Sequence, residues 1–234
     1  MLVSIIITII FVVMCISIYD IHKFNPSAEL NQLQNPNHVV IKESIAERSP
    51  IVIHNLIGKY GTLETNIGDL ITNNPGYIIN DNGKNLSLAS FKVNNNMYFL
   101  NNKEIINHIG FKNPFDEIYK SFDGNLSCNC NHELSILKGS HYITLTTNKH
   151  NCEYYSQLHG ETVFYLFNPK HKMDIKDKQI NEIKKWAFKI SLKPGIILYI
   201  PPNWDYFFET ETESIINRTY SDNYLTYIYN NILR

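Results

Sequence analysis

The chain opens with a long apolar run and changes after Asp20 to a mixed polar sequence. The run MLVSIIITIIFVVMCISIY carries no charge from Leu2 to Tyr19, a length at the short end of what spans a bilayer as a helix. Because the run is terminal, apolar on every face and rich in Ile, it favours a membrane helix over a buried core helix.

Residues 1–19 are therefore predicted to be a transmembrane anchor, with a cleaved signal peptide as the alternative. No Lys or Arg precedes the apolar run, which favours the anchor because signal peptides carry a basic leader. Cys15 and Ser17 are small residues that could precede a cleavage site, so both interpretations stay open. We expect a single-pass membrane protein held through residues 2–19, and the side of the membrane stays open.

The next segment, residues 20–49, is polar and contains Pro26 and Pro36. This pattern predicts a juxtamembrane stalk that ends in a short helix over KESIAERS. A compact domain over residues 50–234 is then predicted to begin with the buried strand PIVIHNLIG, and PFDEIYKSF predicts a short helix further on.

From Leu134 onward the chain consists of short alternating runs bounded by Gly, Pro or Asn, such as HYITLTT and TVFYLFNP. Regular short strands of this kind predict a mainly β fold, a sandwich or a barrel, with a few peripheral helices. A charged segment, Lys170 to Trp186, interrupts the strands as a loop or helix. The tail NYLTYIYNNIL is expected to form either a last strand or an amphipathic helix.

The composition bears on the partners and on the origin of the protein. The 21 Lys and Arg residues nearly balance the 22 Asp and Glu residues, so nothing indicates a nucleic-acid partner. The abundance of Asn, Ile, Lys and Tyr indicates A/T-rich coding, which together with a lone anchor would suit a protein of a large DNA virus.

Three segments in order, PIVIHNL, YYSQLHGETVFYLFNP and LKPGIILYIPPNW, resemble the cupin-like, JmjC-type domains of the iron- and 2-oxoglutarate-dependent protein hydroxylases. The resemblance covers about residues 50–223. It implies a double-stranded β-helix, in which a His-x-Asp/Glu pair and a distal histidine hold Fe(II) and a lysine pairs with 2-oxoglutarate.

When the family's metal and co-substrate positions are carried over to this chain one by one, all four hold a residue of another type. Thr146 and Asn148 stand where the His-x-Asp pair is expected, Thr162 stands at the lysine, and Tyr206 stands at the distal histidine. Thr and Asn are poor ligands for Fe(II), and a threonine brings no positive charge to a carboxylate. No cofactor is therefore expected.

Two other metal sites are conceivable from the residues. His150 with Cys152 or Glu153, and with Asp205 as the distal ligand, would give a rearranged site for Fe(II) and 2-oxoglutarate. A second cluster, formed by Cys128, Cys130, His132 and Cys152, has one residue between its paired cysteines where zinc sites usually have two to four. A disulfide to Cys152 or reduced thiols remain open for that cluster.

The expected function is that of a membrane-anchored, cupin-like protein that has lost catalysis and acts as a binding or structural module for an unknown protein or small molecule. The alternative is an active hydroxylase with the rearranged site. A further alternative is a ligand-binding barrel mouth, for which the expected lining residues are Tyr155, Gln157, Tyr165, Trp204 and Tyr206.

The aromatic tail adds one more question about partners. It could join two copies as a homodimer, or it could pack on the domain's own core. The side chains concerned are Tyr224, Leu225, Tyr227, Ile228 and Ile232.

Overall fold

The structure of the protein is a computed structural model that describes residues 2–54, 67–81, 84–93, 97–109 and 127–233. The end of the predicted strand PIVIHNLIG beyond His54 and the predicted helix PFDEIYKSF lie outside the described residues.

The described residues form strands in two larger sheets and one hairpin, with helices at both ends of the chain and between strands. The strands are β1 (Asn31–Gln34), β2 (Ile51–His54), β3 (Ile78–Asp81), β4 (Lys84–Ser87), β5 (Met97–Asn102), β6 (Ser127–Lys138), β7 (His141–Thr147), β8 (Cys152–His159), β9 (Thr162–Phe167), β10 (Ala187–Leu192), β11 (Ile197–Ile200), β12 (Asp205–Thr210) and β13 (Ser214–Asn223). The helices are α1 (Leu2–His22), α2 (His38–Ala46), α3 (Ile67–Asn73), α4 (Ser90–Val93), α5 (Lys103–Ile109), α6 (Lys172–Ile175), α7 (Ile180–Ile183) and α8 (Tyr224–Ile228), with 3₁₀ turns at Pro169–His171 and Lys184–Trp186 and a π-helical turn at Tyr229–Leu233.

The larger sheet has the strand order β1-β2-β11-β8-β13-β6-β5, and the smaller sheet has the order β10-β9-β12-β7. The chain from β6 to β13 crosses repeatedly between them, so that β6, β8, β11 and β13 lie in one sheet and β7, β9, β10 and β12 in the other. The prediction of a mainly β fold with an apolar N-terminal helix is confirmed.

The main core lies between the two sheets, because successive side chains on a strand point to opposite faces. On β8, Tyr155 packs inward with Leu166, Trp204 and Ile216. Its neighbour Tyr154 belongs to a second cluster on the outer face of the same sheet. The β8 strand is therefore buried on both sides, which explains its almost continuous burial.

The predicted stalk over residues 20–49 is instead packed on the domain. Strand β1 pairs in parallel with β2, from Asn31 opposite Ile51 to Gln34 opposite His54. Ala28 belongs to the main core, since it is 5% exposed. Helix α2 starts earlier than predicted because Asn37 caps it, with its side chain accepting a hydrogen bond from Val40 N at 3.0 Å. The polar composition of this segment reflects its solvent side.

The strand pairing defines two ends of the sandwich. At one end, which we name the near end, Asn223 lies opposite Ser127, and Asp205 lies opposite Thr147. At the far end, Ser214 lies opposite Leu137. Helix α1 meets the domain at the near end, where its residue Ile21 accepts a hydrogen bond from the side chain of Asn203.

Helix α1 is long and apolar enough to span a membrane over Val3–His22, and none of its spanning window is buried against the domain. The predicted apolar helix is thus confirmed as a helix. The tail forms helix α8 rather than a strand, because Asn223 caps it by accepting a hydrogen bond from Thr226 N at 2.9 Å.

The turn between β8 and β9 depends on a glycine. Gly160 has φ +71°, and a Cβ added to it would lie 1.9 Å from the carbonyl oxygen of Glu213. Only glycine tolerates both the left-handed backbone and this close backbone approach.

We predict that Gly160→Ala lowers the free energy of unfolding by about 2–4 kcal/mol, because the strand ends must move apart. Urea unfolding of the full chain in detergent measures it. Gly76→Ala is the matched control, because a Cβ there meets nothing within 4 Å, and we expect a change of at most about 1 kcal/mol. Equal effects of the two substitutions would refute this account of the turn.

Candidate functional site

A buried polar network occupies the space between the sheets toward the near end. It is centred on Glu153 of β8, which is 0% exposed and points to the same side as Tyr155. Arg218 of β13 and Tyr206 of β12 reach it from the other strands. Side chains from three strands, which belong to two sheets, therefore meet at the carboxylate of Glu153.

One oxygen of the carboxylate receives all of these contacts. Glu153 Oε1 accepts hydrogen bonds from Arg218 Nε at 2.6 Å, from the Tyr206 hydroxyl at 2.6 Å and from the Tyr155 hydroxyl at 3.0 Å. The two phenol oxygens lie 2.7 Å apart. The other oxygen, Glu153 Oε2, is buried without a hydrogen-bond partner among the described residues.

The guanidinium of Arg218 joins this carboxylate to a second one. Its Nη1 lies 2.8 Å from Oε2 of Glu133, which stands directly opposite on β6. Tyr220 donates to Glu133 Oε1 at 3.1 Å, and Lys103 Nζ lies 3.9 Å from the same oxygen. Two carboxylates thus face two cations, and the network runs from the core to half-exposed Lys103.

Burial and the neighbouring charges set the protonation of these groups. Burial raises the pKa of Tyr155 and of Tyr206 well above the usual value, and the charge of Glu153 raises both further. Burial alone would lower the pKa of Arg218, but Tyr155, Glu153 and Tyr206 raise it above its ordinary value. Both phenols are therefore neutral donors and Arg218 is a permanent cation.

Of the four residues that the resemblance singles out, only Tyr206 belongs to this network. Thr146 lies opposite Tyr206 in the register, but it is exposed and its hydroxyl donates to the carbonyl of Thr144 at 3.3 Å. Thr162 is buried, with its hydroxyl 2.8 Å from that of Ser214. A neutral hydroxyl pair thus stands where the resemblance places a lysine.

Asn148 has a structural part in the near end. Its side chain donates to the carbonyl of Ile200 at 2.8 Å and accepts from the backbone N–H of His150 at 2.7 Å. Its own backbone N–H donates to the carbonyl of Trp204 at 2.9 Å. The Asn148 side chain therefore links the loop after β7 to the end of β11. Thr146, Asn148 and Tyr206, the three residues that the resemblance places at the metal, therefore do not fit a facial triad for Fe(II).

The residues of the alternative metal site, His150, Glu153 and Asp205, each contact a different partner. His150 Nδ1 lies 2.9 Å from Asp222 Oδ2, and its ring stacks on Tyr220 with centroids 4.0 Å apart. Asp205 accepts a hydrogen bond from the Thr147 hydroxyl, while Glu153 binds Arg218. Among the described residues, no three His, Cys, Asp or Glu side chains lie where they could hold one metal ion.

The cysteine cluster is also dispersed over its strands. Cys128 Sγ donates to the carbonyl of Asp222 at 3.3 Å, and Cys130 Sγ lies 3.9 Å from His132 Nε2. Cys152 is buried in the outer cluster with Tyr154. Among the described residues, no disulfide joins these cysteines and no group of three His, Cys, Asp or Glu side chains could hold a metal ion.

The residues predicted to line a barrel mouth lie in different parts of the domain. Tyr155 and Trp204 are core side chains, at 3% and 0% exposed, and Gln157 donates to Ser214 Oγ at 2.6 Å. Tyr165 faces away from the interior, packs on Phe207 and donates to Glu209. These residues do not line one ligand pocket, because period-2 alternation turns Tyr165 to the outer face of β9.

Two concave surfaces among the described residues lie at the near end. One has a volume of about 380 Å³, and another has about 420 Å³. The smaller one is lined by Lys103, Lys149, Tyr220, Tyr227 and Asn129, with further amide side chains. Tyr220 and Lys103 both contact Glu133 and both line this cavity, so the outer end of the buried network borders it.

Sequence reasoning missed Arg218 and Glu133. A signal was present, since each is a charged residue close to apolar residues within a strand, as in SIINRTY and HELSIL. Charged side chains are rarely buried without a partner, so two such positions of opposite sign predict a buried pair.

We predict that Arg218→Met lowers the free energy of unfolding by about 3–5 kcal/mol, because it leaves Glu153 and Glu133 buried without their cation. The double variant Glu153→Met/Arg218→Met should recover part of that loss, since no charge is then stranded beside Tyr155. Urea unfolding of the full chain in detergent measures both.

Lys193→Met is the control for this prediction. Lys193 also pairs with a carboxylate, Glu161 at 3.4 Å, but both side chains are about half exposed. Such a pair contributes about 0–1 kcal/mol, so we expect a small change. A loss for Arg218→Met no larger than for Lys193→Met would show that the network does not stabilise the fold.

Asp205 gives a prediction about pH. Burial raises its pKa from the ordinary value of 3.8, against the lowering effect of the Thr147 hydrogen bond. The folded state therefore disfavours the charged form, and stability from this group falls as pH rises through the raised pKa.

We expect Asp205→Asn to be more stable than the natural protein at pH 7, with the difference disappearing below pH 3.8. Thermal unfolding at a series of pH values measures this difference. A variant that is less stable at pH 7 would show that the carboxylate itself stabilises the near end.

The chain was also compared with known proteins. No protein-family model matches it, and no curated protein matches it.

Proposed function

We propose that the domain is a double-stranded β-helix of the cupin-like, JmjC-type family. The strand order supports this, because the eight strands from β6 to β13 form two four-stranded layers, β6-β13-β8-β11 and β10-β9-β12-β7, and every connection except the one from β9 to β10 crosses between them. Two facing antiparallel sheets joined by such crossings are the architecture of cupins and other jelly rolls. The first segment that resembles the family falls on β2, and the second falls on β8 and β9. The third runs from the end of β10 through β11 to the turn before β12.

We propose further that this protein is a membrane-anchored module that binds or organises a partner and does not hydroxylate. The observation that carries this proposal is the carboxylate–guanidinium network centred on Glu153. A hydroxylase of this family needs open metal positions and a cation for its co-substrate in the interior. Here the interior is occupied by Tyr206, Tyr155 and Arg218, all bonded to Glu153.

The cation present in the interior is already used. Arg218 is a guanidinium of the kind that pairs with carboxylates, but it is bonded on one side to Glu153 and on the other to Glu133. A dicarboxylate co-substrate would have to displace one of these partners and leave it buried without a cation. Displacement of that kind is strongly unfavourable.

The membrane anchor in this proposal is helix α1. Its 20 residues from Val3 to His22 have the length and apolar character of a span and lie outside the domain's core. Because α1 contacts the near end directly, the protein would present the far end and the flanks of the sandwich to the aqueous phase. Ligands or partners are then expected on outer surfaces, since the interior is filled.

We expect the full chain, purified in detergent and loaded with Fe(II) under anaerobic conditions, to retain substoichiometric iron and to show no 2-oxoglutarate decarboxylation above a protein-free control. Metal analysis after gel filtration and a carbon dioxide assay measure the two quantities. The physical reason is that Thr146, Asn148 and Tyr206 do not form an iron site.

The variants His150→Ala and Asp205→Asn serve as controls for the rearranged site. Stoichiometric iron with 2-oxoglutarate turnover, lost in both variants, would establish the hydroxylase alternative. Stoichiometric iron that both variants keep would place a metal elsewhere and would equally contradict the proposal of a non-catalytic module.

A further inference from the structure

The C-terminal segment, residues 224–233, turns an apolar surface away from the domain. Tyr224 is 66% exposed, and Leu225, Tyr227 and Ile228 are each about 40% exposed. Four such side chains within five residues form an exposed patch of the kind that marks a protein or membrane contact.

The domain holds this segment in place from its other side. Thr226 is 2% exposed and faces the domain, and its backbone N–H bonds to Asn223. Asn230 donates from its side chain to the carbonyl of Lys149 at 2.8 Å. The apolar patch is therefore presented by a docked segment and not by a loose tail.

The same segment touches the end of the apolar N-terminal helix. The Tyr229 hydroxyl lies 3.2 Å from His22 Nε2, and the two rings meet edge to face with centroids 5.8 Å apart. Arg48 pairs with Asp20 at 3.1 Å, and Asn203 donates to the carbonyl of Ile21. Three contacts at the helix end thus leave no spacer between helix α1 and the near end.

Helix length then sets the height of the segment relative to a bilayer. The span Val3–His22 has 20 residues, which at 1.5 Å per residue extend about 30 Å, the thickness of the hydrocarbon core. His22 is thereby placed at the edge of that core. Each headgroup layer is roughly 5–8 Å thick, so Tyr229 and its neighbours fall at headgroup level.

We propose that residues 224–233 lie in the headgroup layer of the bilayer that α1 spans, as a second membrane contact. Tyrosine is enriched at this level because its ring is apolar and its hydroxyl is polar, which fits Tyr224 and Tyr227. Leu225 and Ile228 would enter the acyl boundary, as in other interfacial helices. Lys23 and Lys149, both exposed near the same end, suit lipid phosphates. This inference rests on the proposed membrane anchor.

The position of an added tryptophan tests the inference. The full chain is reconstituted in phosphatidylcholine vesicles whose acyl chains carry bromine near the glycerol, and tryptophan fluorescence is compared with that of unbrominated vesicles. The natural protein, with Trp186 and Trp204, gives the baseline. We expect Ile228→Trp to add a blue-shifted component that loses most of its intensity in the brominated vesicles.

Val93→Trp is the matched control, because Val93 is an 83% exposed aliphatic side chain on a helix at the far end. Its neighbour Phe91 accepts a hydrogen bond from Lys138, the last residue of β6. We expect the Val93→Trp component to stay red-shifted and unquenched. Tyr227→Trp is a second reporter of the patch, should Ile228→Trp fold poorly.

Phe11→Trp separates this inference from the anchor on which it rests. Quenching at Phe11→Trp by lipids brominated deep in the chain, without quenching at residues 227 and 228, would keep the anchor and refute the interfacial segment. Quenching at none of them would refute the anchor itself. An unquenched but blue-shifted signal at residue 228 that depends on protein concentration would show that a second copy covers the patch, which also overturns the proposal.

Discussion

The structure depends on the pairing of one largely enclosed guanidinium with two buried carboxylates. Arg218 lies between Glu153 and Glu133, and each of these charges would be very unfavourable in the core without the others. Because the three residues come from β8, β13 and β6, satisfying them fixes how these neighbouring strands align. Tyr206 adds the opposite sheet to the same centre through its bond to Glu153. The network therefore ties both layers of the sandwich together.

The shape of the sandwich also depends on residues outside this network. Gly160 provides a turn that no other residue could form, and Trp204 and Asn148 hold the near-end loops together. These are backbone and packing requirements, which do not depend on a metal. At the interior position opposite Thr146, Tyr206 donates a hydrogen bond to Glu153. Shape and chemistry are thus carried by different residues.

The near end brings together the features that bear on location and partners. Helix α1, the amide-rich cavity and the aromatic C-terminal segment all lie there, because the strands β6, β8 and β12 begin and β7 and β13 end at that side. A membrane at this end would orient the whole domain, with the Glu153 network pointing its half-exposed end toward the bilayer. Binding from solution would then use the flanks and far end.

The sequence by itself determined the local features. The uninterrupted apolar run of α1 and the alternation in the later strands are properties of neighbouring residues, so the helix and the mainly β fold were predictable. The tertiary structure decided what depends on distant residues. Glu153 and Arg218 are far apart in the chain, and only the pairing of β8 with β13 makes one the partner of the other. The packing of residues 20–49 on the domain, the separation of His150 from Asp205 and the outward turn of Tyr165 likewise follow from tertiary contacts and strand register, which local patterns do not encode.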